Sequence, residues 1–363
     1  MKLVVLGLSL SSSWGNGHAT TYRALLKAFA ARGHDVLFLE REAPWYAAER
    51  DLWTPPYCQL RFYADLAGLD RWRGEIAAAD AVIVGSYTPE GVEIGRRVQA
   101  WTRGVAAFYD IDTPVTLAKL ARGDHEYVSP ELIAGYDLYL SFTGGPTLDS
   151  LEQTYGSPAA RALYCSVDET LYKPLAAPRR WDLSYLGTYS PDRQPVLERL
   201  LIGPAHASPH LRFAVAGPQY PADISWPDNV ERIEHVAPAD HAAFYAASRY
   251  TLNVTRRDMV QAGWSPSVRL FEAAACATPV ISDRWAGLDA LFTPEVEIIL
   301  AEETGEVLQA LSCDDAARDR FAAAARAKVL AVHTAASRAE TLERLLDEAA
   351  AAPARRRRVL IAA

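Results

Sequence analysis

The chain has 363 residues, 50% of them hydrophobic and 23% charged, a balance that excludes a disordered polymer and allows two or three domains. Lys and Arg number 37 against 45 Asp and Glu, a net charge of −8. That argues against a nucleic-acid coat or a basic membrane-surface protein, and leaves room for a small basic cluster around one phosphate group. Cys58, Cys165, Cys276 and Cys313 are widely spaced, with no C-x-x-C pair. This predicts free thiols in a reducing cytoplasm and speaks against a zinc site. No apolar run reaches about 18 residues, so no transmembrane helix is expected.

The first apolar run, Leu3–Leu8, reads as a buried strand and not as a leader. Ser9–His18 follows, rich in Ser and Gly. A helix is predicted over Thr20–Arg32 from the spacing of Leu25, Leu26, Phe29 and Ala30, stopped by Gly33-His34. Further strands are predicted at Val36–Leu39, Ala81–Gly85, Gly104–Tyr109 and Tyr136–Phe142. The second half repeats the plan. It has strands at Leu183–Gly187, Leu211–Gly217, Tyr250–Val254, Thr278–Ser282 and Ile298–Leu300, and a short extended piece at Val230–Ile233. Its helices are expected from Pro195–Leu201 onward, over Pro238–Ser248, over Ser267–Cys276 and through the Ala-rich Asp315–Glu348.

Short all-apolar strands alternating with helices predict an α/β protein of two doubly wound parallel-sheet domains. Leu163–Trp181, with Pro174 and Pro178, has linker composition. The expected division is residues 1–165, 166–340, and a C-terminal helix and tail over 341–363 that packs back on the first domain. Two such halves form a cleft between the carboxyl ends of their sheets, where open α/β sheets bind ligands. The basic run Ala354–Arg358 reads as a solvated end.

Three motifs carry chemistry. In Ser11-Ser12-Ser13-Trp14-Gly15-Asn16-Gly17-His18, Gly15 and Gly17 let backbone approach a ligand. The helix N-terminus that follows offers N–H groups to an anion or a polar sugar. Position 20 is not glycine and no Gly-Lys-Ser/Thr follows, so this is neither a dinucleotide fingerprint nor a P-loop; an ordinary turn is the alternative. His18 is a general base, an orienting donor or a helix cap. In Tyr109-Asp110-Ile111-Asp112-Thr113-Pro114 both carboxylates fall at a strand's carboxyl end. They serve as a capping turn before a helix at Val115–Leu120, as a base or acceptor ligand, or as a metal bridge to a diphosphate.

The most specific stretch is Arg256–Ser282. Arg256 and Arg269 stand at the two ends of a polar turn, where together they could neutralise a diphosphate. Glu272, near a helix start, is placed to accept two sugar hydroxyls. Small residues then let the helix pack closely on the strand Pro279–Ser282. Apart from these motifs, Pro44–Gln59 carries Trp45, Trp53 and Tyr57, rings that stack on a sugar or a flat molecule, or else fill core.

Ser267-x-Arg-Leu-Phe-Glu-Ala-x-Ala-Cys-x-x-Pro-Val-Ile-Ser282 resembles the donor-site sequence of GT-B glycosyltransferases. More narrowly, it resembles the CgeB-like (spore maturation protein) branch of the glycosyltransferase family 1/4-like group. Gly187-Thr188-Tyr189-Ser190-Pro191-Asp192-Arg193, Phe244–Ser248 and the N-terminal glycine loop fit the same branch. The resemblance implies a GT-B fold, two Rossmann-like domains facing a central cleft. It implies transfer of a sugar from a nucleotide sugar, a UDP-sugar, to a small-molecule or glycan acceptor, with retention of configuration and without metal or cofactor.

It also implies residue roles. Glu272 binds the ribose, Arg193 and Arg269 the diphosphate, and backbone near Gly217 and His235-Val236 the base. Gly187, Tyr189, Arg256 and Ser267 complete the donor site. Gly15, Asn16, Gly17 and His18 face it from the first domain. For inversion the base would be His18, Asp110 or Asp112. Two positions depart from the pattern. Trp264 stands where a second acid precedes the ribose glutamate by eight residues, which bears on sugar recognition, and Ala277 replaces a glycine. A sugar-nucleotide epimerase and a non-catalytic nucleotide- or sugar-binding protein are the other readings.

Overall fold

The computed structural model describes residues 1–14 and 17–352. The first lobe is a seven-stranded parallel sheet of β1 (Lys2–Gly7), β2 (Asp35–Arg41), β3 (Gln59–Tyr63), β4 (Ala81–Gly85), β5 (Val105–Asp110), β6 (Leu138–Ser141) and β7 (Ala160–Ala162), in the order β3-β2-β1-β4-β5-β6-β7. The second is a six-stranded parallel sheet of β8 (Trp181–Leu186), β9 (Phe213–Ala216), β10 (Val230–Ile233), β11 (Ser248–Asn253), β12 (Val280–Ser282) and β13 (Ile299–Leu300), ordered β10-β9-β8-β11-β12-β13. Each sheet reverses its order beside its first strand, β1 in one and β8 in the other, and each reversal opens a crevice at the strands' carboxyl ends.

The central strands are apolar on both faces because helices cover both. Leu3 and Val5 of β1 enter one core and Val4 and Leu6 the opposite one. The pattern reading did not predict the edge strands β3 and β7, which are short and partly exposed and carry Arg61 and Arg161.

The Ala-rich stretch is two helices, Asp315–Val332 and Ala335–Ala351, interrupted at His333-Thr334. The Thr334 hydroxyl caps the second by accepting from the Ser337 N–H at 3.2 Å. That helix returns to the first lobe, where Ala339, Leu342, Leu345 and Leu346 join its core. The chain therefore passes between lobes twice. The crossings are tied by Val167 N–H to the His333 carbonyl (3.2 Å) and Ala335 N–H to the Val167 carbonyl (2.8 Å). Arg338 braces the joint by donating to the carbonyls of Tyr164 and Val332. The basic run Ala354–Arg358 lies outside the described residues. All four cysteines are free thiols. Among the described residues no helix is long and apolar enough to cross a membrane.

Candidate active site between two sheets

Loops at the carboxyl ends of the two sheets meet across a cleft. On the first lobe, the Glu40 carboxylate at the end of β2 shapes the loop after β1. It accepts from Leu10 N–H (2.7 Å), Ser11 N–H (2.9 Å), the Ser11 hydroxyl (2.6 Å) and the Ser9 hydroxyl (3.3 Å). A buried carboxylate with four donors holds this turn in one conformation. Gly15 and Asn16 of the glycine loop lie outside the described residues. Gly17 is the first residue of the helix Gly17–Ala31. A Cβ there would meet nothing within 4 Å among the described residues.

His18 lies inside that helix, which sets aside the capping role. It is 7% exposed and stands edge-on to Tyr87 at 5.3 Å. Burial pulls its pKa down to about 4, so the ring is neutral at neutral pH. Its Nδ1 is buried with no hydrogen-bond partner among the described residues.

Two residues apart, Asp110 and Asp112 have opposite surroundings. Asp110 is 0% exposed and accepts from the Tyr139 hydroxyl (2.5 Å), the Thr116 hydroxyl (2.9 Å) and the Asp112 N–H (3.2 Å). Burial pushes its carboxyl up to about 6. So enclosed, Asp110 shapes the turn after β5. Asp112 precedes the helix Thr113–Ala121 without capping it through its side chain. Burial raises its pKa, opposed by Arg256 from the other lobe and by Tyr87. Of the pair, Asp112 is the one turned to the cleft.

On the second lobe, three arginines converge. Arg269 is held by the Leu186 carbonyl (2.7 Å) and the Asn253 Oδ1 (2.9 Å), with its guanidinium 4.9 Å from the Tyr185 ring. Gly187 makes room for it, since a Cβ there would stand 2.9 Å from an Arg269 nitrogen. Arg193 donates to the Thr188 carbonyl at 2.5 Å, while its Nε is buried without a hydrogen-bond partner among the described residues. Burial, with the like charges of Arg269 and Arg256, holds Arg193 below its ordinary pKa despite the pull of Tyr185. Among the described residues none of Arg193, Arg256 and Arg269 has a carboxylate within salt-bridge distance. Three cations in one another's field, with Asp112 and Asp283 acting on them only from beyond salt-bridge distance, make a site for a polyanion. Ser267 caps the helix Val268–Ala275 that carries Arg269 and Glu272.

Glu272 is 4% exposed. Tyr245 donates to its carboxylate at 3.2 Å, and His241 Nδ1 stands 3.7 Å away. Burial works against its charge. Hydrogen bonds from His241, Tyr172 and Tyr245 and the attraction of His241 nevertheless hold it below the usual range. His241 Nε2 also meets the Val236 carbonyl at 3.3 Å, tying the loop after β10 to the glutamate, while His235 is exposed. The backbone of Gly217 is committed inside the protein: its N–H donates to the Ile233 carbonyl and its carbonyl accepts from Arg232. Its φ of 139° and its contact with the Gly187 carbonyl explain the glycine better than a ligand contact does. Tyr189 sits 5.5 Å from Tyr220 on the same rim.

Several residues here were not singled out from the sequence. Asp283, directly after β12, accepts from the Thr255 N–H (3.0 Å) and hydroxyl (2.8 Å), and burial pushes it up to about 6. The rule that pointed to Asp110, a carboxylate at the end of an apolar strand, would have found it. Tyr172 and His241 come from distant segments and carry no local signal, while Tyr245 lies in the stretch Phe244–Ser248 that the resemblance marked without a role. Trp264 joins the lobes. Its φ is 44°, its carbonyl accepts from Gly144 N–H (2.9 Å), and its indole lies against Gly145 of the first lobe and Gly287 of the second, leaving no room for a Cβ at either. Thr143 and Ser265 add a hydroxyl pair across the same joint at 2.8 Å. Tyr57 is half-buried and packs against the first lobe's core.

Two parallel Rossmann-like sheets facing one cleft, joined by a double crossing, are the GT-B fold. Among solved structures the chain is similar to sucrose-phosphate synthase from Thermosynechococcus elongatus, with a TM-score of 0.70 and 16% identity over 96% of this chain and 99% of that one. It is similar to Anabaena HepE in complex with UDP and glucose, with a TM-score of 0.69 and 13% identity over 96% of this chain and 100% of that one. AviGT4, a glycosyltransferase involved in avilamycin A biosynthesis, gives a TM-score of 0.63 and 16% identity over 97% and 98%. Residues 193–344 match the family described as glycosyl transferase-like. No curated protein matches the chain.

Proposed function

We propose that the protein is a glycosyltransferase that moves a sugar from a UDP-sugar to a hydroxyl of an acceptor held by the first lobe. The observation that carries this is the group of Arg193, Arg256 and Arg269 in the cleft, none of them ion-paired at salt-bridge distance among the described residues. In the reaction the bond between the anomeric carbon and the diphosphate breaks, and one to the acceptor oxygen forms. Charge gathers on the departing UDP, and the three guanidiniums stabilise it without a metal. The family match over 193–344 covers all three arginines and Glu272, and HepE, of the same fold, was solved with UDP and glucose.

Glu272 is the group that takes the ribose hydroxyls, held charged by its three neighbours. Retention is the stereochemical reading: the acceptor proton passes to the departing phosphate oxygen, and no protein base is required. Inversion would need a base, for which His18, Asp110 and Asp112 are the candidates. The finer placement, supported by the run Ser267–Ser282, is the CgeB-like branch, acting in a reducing cytoplasm.

The test is a thermal-shift panel of UDP, GDP, dTDP and their sugars, followed by NMR of the anomeric carbon during turnover. A shift with UDP and slow release of sugar from one UDP-sugar are expected. Conversion of a UDP-sugar to its epimer, or no shift with any nucleotide, overturns the reading.

A further inference from the structure

The first lobe carries a built surface that the donor site does not use. Residues 42–53 form a strap from the end of β2 across the loop that follows β1. The Ser11 carbonyl accepts from Asp51 N–H and Leu52 N–H, both at 3.0 Å. The Ser12 hydroxyl donates to the Glu49 carbonyl at 2.8 Å. Asp51 accepts from Ser13 N–H (3.3 Å) and the Ser13 hydroxyl (2.5 Å) and pairs with Arg23. Arg50 reaches Glu42 at 2.7 Å, with its guanidinium 4.0 Å from the Phe62 ring and 5.1 Å from the Trp53 ring.

This framework displays Trp14, Trp45 and Trp53, which are 57%, 59% and 62% exposed. The chain has nine tryptophans, and the other six are buried or half-buried, so every exposed indole belongs to this strap and loop. Apolar rings on a scaffold fixed by hydrogen bonds bind at small entropic cost. The charges around them are largely paired, Glu42 with Arg50 and Asp51 with Arg23, so the patch has no excess positive charge to draw anionic lipid headgroups or nucleic acid. A neutral pyranose fits both features: its C–H face lies on an indole, and its hydroxyls donate to carboxylates and accept from guanidiniums of the paired charges. Rings on two separate segments suit more than one sugar unit.

We propose that Trp14, Trp45 and Trp53 form a subsite for a neutral oligosaccharide, the part of the acceptor that lies beyond the reacting hydroxyl. This rests on the reading of the first lobe as the acceptor side. The probes are maltohexaose, cellohexaose, laminarihexaose and chitohexaose, with kaempferol and phosphatidylglycerol vesicles as the competing ligand classes, followed by tryptophan fluorescence.

At least one hexasaccharide binds with Kd below about 10 mM, and Trp45→Ala and Trp53→Ala each weaken it about tenfold. Trp45→Phe and Trp53→Phe keep most of the affinity, and every variant keeps the wild-type thermal shift with UDP, which shows that it is folded. The proposal is overturned if no hexasaccharide binds, if the triple alanine variant binds one as well as wild type does, or if only kaempferol or the vesicles bind. Absence of a UDP shift in the wild-type protein would count against the donor site instead, so the two failures are distinguishable.

Discussion

Arg193→Ala separates the work of the arginine cluster from the stability of the fold. This guanidinium donates to one carbonyl, has no partner for its Nε among the described residues, and sits in the field of Arg256 and Arg269. Burial and like charge both oppose its presence there, so removing it leaves the melting temperature unchanged or slightly raised. A bound diphosphate reverses the balance by supplying the missing acceptor. Hydrogen bonds to a charged group contribute about 1.5–3 kcal/mol. UDP affinity should therefore fall about 10- to 150-fold. Uridine, which lacks phosphate, should bind the variant as it binds wild type. Calorimetric titration with UDP and uridine measures both. Equal weakening of the two ligands, or an unchanged UDP affinity, refutes the assignment of Arg193 to the diphosphate.

Glu272→Ala should show the complementary pattern: uridine and UDP both weaken by about 1–3 kcal/mol, while inorganic diphosphate binds as before. Unchanged uridine affinity by calorimetry would remove the ribose role. Asp283→Asn tests the buried carboxyl after β12. Its folded pKa, about 6, lies above the unfolded value, so the native state binds the extra proton and wild type loses stability as pH rises from about 4 to 6. Urea unfolding between pH 4.5 and 7 should show stability shifting toward the variant with rising pH, by about 2 kcal/mol; a constant difference contradicts this. Gly287→Ala should cost about 2 kcal/mol, because its φ is 86° and the new Cβ meets the Trp264 indole. Part of that cost should vanish in the Trp264→Ala background, and a strictly additive double-mutant cycle would rule out the contact.

The parallel architecture was legible because an apolar run of about five residues followed by a helical period has few other solutions. The cleft followed from the rule for strand ends. What the pattern could not carry was the environment of each charged group. Asp110 and Asp112 look equivalent in sequence. Tyr139 and Thr116 close over one, while Arg256, far along the chain, faces the other. Glu272 stood out, but its neighbours Tyr172, His241 and Tyr245 come from the linker and a neighbouring helix. The Ala-rich stretch read as one helix because alanine favours helix throughout, and only the crossing between lobes shows why it breaks at His333-Thr334. Trp264 read as a missing acid, whereas the structure gives the indole a place of its own between two glycines.

The central claim is that the cleft binds a nucleoside diphosphate through Arg193, Arg256 and Arg269. A crystal structure with UDP bound tests it most directly. The diphosphate oxygens should lie within hydrogen-bond distance of these guanidiniums, with the ribose against Glu272. UDP bound elsewhere, or with its diphosphate turned away from all three arginines, would contradict the account.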